Sequence, residues 1–313
     1  MKKIFLFIFL FCGTDLLRAQ SLTDGIFMDK KFLCAGVQYN HDAWKEYWEG
    51  TLLRENGNIG TVTTQSAVLM ANYGLLDRLN VIAMLPYVWT KASVGTLAGQ
   101  LGLQDLTLGL KFKAFESDML GGKFSVQVVA GGSIPLTGYV ADYLPLSIGL
   151  QSKTLFGRGI LHLAAPKNLS FLLSGAYMLR GNVEIDRTSY YTTQQVYSRE
   201  VEMPNVAQLA FRGGHYSYRW AAELLVEQNL TLGGFDIRRQ DMPFLSNNMD
   251  ALRVGGNLTY RIPFLNDLQV IGMASQIVSG RNIGKSLAWS LGVTKFFGFG
   301  TKPDANTGSS SGR

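Results

Sequence analysis

The chain has 313 residues, 47% hydrophobic, 12% aromatic and 17% charged, with 35 glycines and a formal net charge of +6. A mean hydropathy of only +0.09, and no apolar run of roughly 20 residues after the N-terminus, exclude a helical membrane protein. The positive charge is too weak and scattered for a nucleic-acid binder, and two cysteines, one of them in the leader, exclude a disulfide-stapled secreted fold.

Residues 1–19 read as a secretory signal peptide: Lys2 and Lys3 start it, Ile4 to Phe11 are too short a run to span a bilayer, and cleavage after Ala19 leaves Gln20 first. Removal takes away Cys12, so Cys34 is left alone as a small apolar residue on the first strand. Ser21 to Lys31 is expected to be a short mature leader. Strand-like segments follow at Phe32–His41, Thr61–Tyr73, Leu79–Thr90, a stretch ending at Phe115, Lys123–Ile134, Lys153–Leu163, Leu169–Asp186, Asn205–Arg212, Arg219–Leu230, a stretch carrying Leu252 to Arg261, Leu268–Ser279 and Lys285–Phe299. The fourth shows the pattern most clearly. Leu106, Leu108, Leu110 and Phe112 fall on one face, and Thr107, Gly109, Lys111 and Lys113 on the other, so one face meets oil and the other something wet. Pro86 suits a bulge or strand end better than a regular ladder position.

The tally is about twelve strands, an even number that places both termini on one side. Tight turns fall on that side each time, and long loops on the other, apart from the short link Gly280–Gly284. This is the hairpin asymmetry of an outer-membrane β-barrel. The expected architecture is all-β: a transmembrane antiparallel up-and-down barrel over residues 20–300, with a Gly/Ser-rich, disordered tail over 301–313. It would be a monomer, bathed in outer-membrane lipid and inserted by the barrel assembly machinery of a Gram-negative bacterium.

The segment from Asn72 to Phe115, with N-Y-G-L-L-D-R-L-N-V running into L-P-Y-V and then G-L-Q-D-L-T-L-G-L-K, resembles the outer-membrane β-barrel family of meta-pathway phenol-degradation (MetA-pathway) transporters. A weaker echo runs from Tyr177 to Arg187. The resemblance implies a barrel that takes up small hydrophobic or aromatic compounds; nothing in the spacing of residues shows a substrate.

If the alternation holds, Lys111, Lys113, Arg180, Glu184, Glu223, Glu227, Arg253 and Arg261 point into the lumen. Near the bilayer midplane a lipid-facing Lys or Arg would cost about 2–4 kcal/mol. They either form a charge ladder that steers a solute or pair across strands and fill the lumen. Pairing of Glu223 and Glu227 with Arg253 and Arg261 is the expected arrangement. Trp44, Tyr47 and Trp48 read as an outer aromatic girdle or, alternatively, as an apolar landing site. Cysteine, histidine and acidic residues lack metal-ligand spacing, so no metal and no cofactor is expected. Gly131-Gly132 and Gly255-Gly256 precede no helix and read as points of strand bending.

The function these residues support is passive uptake of a small molecule, since no nucleotide site, plug domain or energy-coupling box is visible. One alternative is a structural or surface-interaction barrel using loops such as Tyr139–Gln151 and Arg187–Pro204. A second is a barrel-wall hydrolase using His41 or His162. His41 and Asp42 are adjacent and point to opposite faces, and no Ser two residues away on the face of His162 completes a pair, so a non-enzyme is expected.

Overall fold

Hydrocarbon offers no partner to a backbone amide, so a sheet crosses a membrane only if it closes on itself. The computed structural model describes residues 21–239, 241–265 and 268–299; the expected signal peptide and C-terminal tail lie outside the described residues. Thirteen hydrogen-bonded segments form twelve antiparallel strands, because Leu101–Leu103 and Asp105–Met119 are one strand interrupted at Gln104. In chain order these are β1 (Phe32–Trp44), β2 (Val62–Leu76), β3 (Leu79–Ala92), β4 (Asp105–Met119), β5 (Gly122–Pro135), β6 (Thr154–Ala165), β7 (Leu169–Arg180), β8 (Asn205–Tyr216), β9 (Trp220–Leu232), β10 (Asp250–Ile262), β11 (Leu268–Arg281) and β12 (Leu287–Gly298). Each pairs with its chain neighbours. β1 also pairs with β12, from Phe32 opposite Gly298 to Ala43 opposite Leu287, and this seam closes the barrel.

Pro86 lies within β3, opposite Val68 of β2. On its other side the ladder to β4 stops at the Met84–Thr107 pair and resumes at Tyr87–Leu103. Two residues of β3 there face three of the neighbouring strand, a bulge set where proline has no N–H to give. The seventh strand is shorter than its alternation suggests. It ends at Arg180, the Gly181 amide donates to Lys153 O (2.8 Å), and Val183–Glu184 pair with Glu200–Val201 in a hairpin of the outer loop. A hairpin alternates as a strand does, so the pattern alone could not tell them apart.

The outward face carries the apolar set: Leu69, Leu108, Leu110, Phe112, Leu173, Leu209, Leu224, Leu258 and Leu291 are all exposed on the wall. Near the outer edge Tyr39, Tyr87, Trp89 and Trp289 make a belt with ring separations of 5.4–6.1 Å. His41 belongs to it, stacked on Trp289 at 5.4 Å.

Residues 21–31 do not trail outside. They run up inside the barrel from the mouth that carries the tight turns. The Lys31 amide donates to Gly74 O (2.8 Å), and the Gly74 Cα lies so close to the segment that a Cβ would sit 2.0 Å from Asp29 O. Higher up, Leu22 packs against the cluster of Val129, Ile160 and Leu172. At the other end the outer loops fold inward as well. Residues 136–153 bury Leu146 against Ile59 and Val62, and Thr90 Oγ1 donates to Leu146 O (2.6 Å).

One buried amide pins three outer loops. Asn282, 2% exposed, donates from Nδ2 to Asp236 Oδ1 and Asn248 O (both 2.7 Å) and accepts at Oδ1 from the Gly50 and Ile237 amides (2.8 and 3.0 Å). Its φ of 51° is one that asparagine tolerates. Asp236 also takes a two-pronged bond from Arg281 (2.7 and 2.7 Å), which, with Asn282, holds its carboxyl below the usual range. A depressed carboxyl contributes stability above its ordinary pKa and loses it as pH falls through the depressed value. Pepsin cleavage of the 233–249 loop is therefore expected to rise only below the ordinary aspartate pKa of about 3.9, whereas Asp236→Asn is cut equally throughout. Asn282→Leu, which orphans the half-buried Gly50 amide and the buried Ile237 amide, the latter at about 1–3 kcal/mol, should expose the loop at neutral pH while gel mobility of the unheated barrel stays unchanged.

Candidate functional site

The lumen is the candidate site, and strand alternation builds it. From β4, Lys111 and Lys113 project inward. Lys111 is fully buried, and its ammonium donates to Asp24 O (2.6 Å), Asp24 Oδ1 (2.9 Å) and Ile26 O (2.9 Å), with Ser21 O at 3.4 Å. All of these acceptors lie on the 21–31 segment. Lys111 and Lys113 both sit over the Phe27 ring, at 5.3 and 5.2 Å, and Lys113 also pairs with Glu116 (2.6 Å). Gln127 of β5 donates to Gly25 O (2.7 Å) and Arg212 of β8 to Thr23 Oγ1 (2.8 Å). The lumen wall therefore holds a plug of its own chain, where no plug was expected. Its anchor is a buried charge pair, and removing one partner of such a pair costs about 3–5 kcal/mol.

Beside and above the plug the two sides of the wall differ. Across β6 to β9, Arg158 donates to Ser174 (3.2 Å) and to Gln208, Gln208 to Asn229 (2.8 Å), and Asn229 to Glu227 (3.1 Å). Glu223 accepts from Asn257 (2.5 Å) and Tyr216 and lies 3.9 Å from Arg212. Facing this charged arc is a neutral one. Gln38 donates to Asn40 (2.7 Å) and Ser290 (3.0 Å), and Asn40 to Ser66 (3.0 Å).

Six of the eight expected charges lie in wall strands on the side opposite the lipid-facing set: Lys111, Lys113, Glu223, Glu227, Arg253 and Arg261. Arg180 shares that register at the end of β7. Glu184 does not: it sits on the outer-loop hairpin, 71% exposed at its side chain, 3.3 Å from Arg199. The expected pairing takes another form. Among the described residues no ion pair within 4 Å joins Glu223 or Glu227 to Arg253 or Arg261; Glu223 turns to β8, Arg253 donates to Ser275 (3.2 Å), and Arg261 lies 5.3 Å from the Tyr218 ring. Arg158, Gln208, Arg212 and Asn229 were missed, although inward register with Glu223 and Glu227 could have flagged them. Asp24 carries no sequence signal, since it lies outside any strand.

The outer-loop aromatics do not join the lipid belt. Trp48 packs at the lumen mouth against the inward-facing Ala251 and Ile277, and Trp44 against the cluster holding Leu146, with Tyr47 beside it at 6.1 Å. Behind them Tyr139 donates to Asp105 (2.7 Å); burial and this bond push its phenol up, so it stays a donor. His162 does find a serine, from the neighbouring strand: Ser170 Oγ lies 2.9 Å from Nε2. The plug covers the pair, since a Cβ on Gly25 would sit 2.4 Å from the ring. No carboxylate among the described residues hydrogen-bonds to His162, and no group of three metal-binding side chains occurs among them.

A closed twelve-stranded wall, apolar outside and polar inside, with tight turns at one end and long loops at the other, defines a membrane-spanning barrel of the bacterial outer-membrane type. Comparison with solved structures agrees. The fold is similar to that of the COG4313 outer membrane channel from Pseudomonas putida F1, at a TM-score of 0.68 and 13% identity over 87% of this chain and 97% of that one. The translocator domain of the autotransporter NalP from Neisseria meningitidis aligns at 0.42, with 12% identity over 84% of this chain and 87% of that one. The monoaromatic hydrocarbon channel TodX aligns at 0.39, with 10% identity over 87% and 91%. No protein-family model matches the chain, and no curated protein does.

The plug predicts its own release. In a Cys34→Ser background, Leu22→Cys is expected to resist a membrane-impermeant maleimide. Adding Lys111→Met, which strands Asp24 without its partner, should make it label readily in folded protein.

Proposed function

We propose that the protein is a monomeric, non-enzymatic channel of a Gram-negative outer membrane that takes up a small molecule passively, with the 21–31 segment as its stopper. The observation that supports this reading is the polar lumen blocked by a short segment and anchored through one ammonium, Lys111. A wall made only to be filled would pair its polar groups with each other; here Lys111 gives its charge, and Gln127 and Arg212 their N–H donors, to a short strip of chain. No nucleotide or coupling element is needed, because a solute moving down its gradient requires only that the strip yield.

The fold shared with an outer membrane channel supports passage of a solute, and the resemblance noted in the sequence favours small hydrophobic or aromatic compounds as that solute. The wall refines this. Amides, hydroxyls and guanidiniums such as Gln38, Ser66, Arg158 and Gln208 suit a ring that carries a polar group better than a bare hydrocarbon. The Ser170–His162 pair does not argue for hydrolysis, because it lies beneath the stopper.

Planar-bilayer recording tests the reading. The wild type is expected to give brief, small openings and Lys111→Met steady ohmic steps. Silence from both, in protein whose gel mobility shifts on heating as a folded barrel's does, would sink it.

A further inference from the structure

The outer loops carry a second candidate site. Between residues 136–153, 181–204 and 233–249 lies a cavity of about 410 Å³, within the range of small-molecule sites. Two of its lining residues, Tyr190 and Phe244, belong to a hydrophobic cluster that continues behind them through Val183, Ile185, Val201 and Leu245, so the loops form a packed cap rather than loose chain. Asn247 stiffens one wall, accepting from the Phe244 amide (2.6 Å) and donating to Phe235 O (3.1 Å).

Two arginines from different loops face this cavity, each laid on a ring and each tied to an acid. Arg238 lies over Tyr191 at 3.8 Å with its Nε on Asp241 (2.7 Å). Arg187 lies over Phe244 at 5.2 Å with one Nη on Asp142 (2.7 Å). A guanidinium has five N–H donors, so each keeps donors beyond its ion pair. The stacked ring and the acid hold it in one orientation, which lowers the ordering cost of a ligand that uses those donors. The two acids balance the two arginines, so the cavity is no sink for multivalent anions. A planar ring can add to the stacks, and one carboxylate matches a guanidinium fork.

We propose that this cap cavity is a capture site for small aromatic carboxylates, filled before the solute enters the lumen. The proposal rests on the uptake reading and narrows its cargo to a ring bearing an acid.

Calorimetry on the full, detergent-solubilised protein tests it with benzoate as probe. Saturable binding is expected with a dissociation constant on the order of 1 mM. Arg238→Gln should weaken it about tenfold, and toluene or benzylamine should bind at least about tenfold more weakly. Tyr191→Ser, which removes a stack and leaves both charges, should weaken it as well. Absence of benzoate saturation, equal binding of toluene or benzylamine, or binding unchanged in both Arg238→Gln and Tyr191→Ser would overturn the proposal. Benzoate flux into liposomes is read separately. Binding without flux would leave the cap site standing and defeat the channel, whereas flux without binding would do the reverse.

Discussion

Everything in this molecule depends on the seam between the first strand and the last. Without the ladder from Phe32–Gly298 to Ala43–Leu287, two strand edges would face hydrocarbon with bare amides and carbonyls. Once it is formed, the wall has an inside, and the inside becomes the only place where Lys111, Arg158 or Glu223 can lie. The polar lumen is the consequence of closure, and the chemistry proposed here follows from what then fills that lumen.

Two kinds of filling meet it. From below comes a segment whose backbone carbonyls satisfy a buried ammonium, and from above come loops whose apolar side chains, Trp48, Leu146 and Ile148, settle on the few apolar inward positions of the wall. The first kind is mainly polar and centred on one buried charge pair, Lys111 with Asp24, beside a few further contacts such as Leu22. The second is packing and is spread over many contacts. On the uptake reading, that difference makes the lower barrier the moving part and the upper one the frame around the cap cavity.

The wall was legible in the sequence because lipid outside and water inside impose a strict period of two, which a strand such as Leu106–Lys113 cannot conceal. Turn lengths then ordered the strands. The filling was not legible. Asp24 obeys no period, and its meaning appears only when Lys111 is brought beside it from 87 positions away. The partner of His162 was likewise hidden, because Ser170 is its neighbour across a hairpin rather than along a strand. Trp44 and Trp48 misled for a related reason: composition marks aromatics near an interface but not whether the loop that bears them bends outward or in.

The position of the stopper in the chain has a topological consequence. It leads directly into β1, one lip of the seam, and the Phe299 amide returns to Lys31 O (2.9 Å) just where the two meet. A nascent barrel is an open, curled sheet until those lips join, and the segment can be laid into the trough sideways while the trough is still open. No end of the chain has to be threaded through a finished ring. The ladder of the final strand with β1 therefore closes the wall around a segment continuous with one of its own lips.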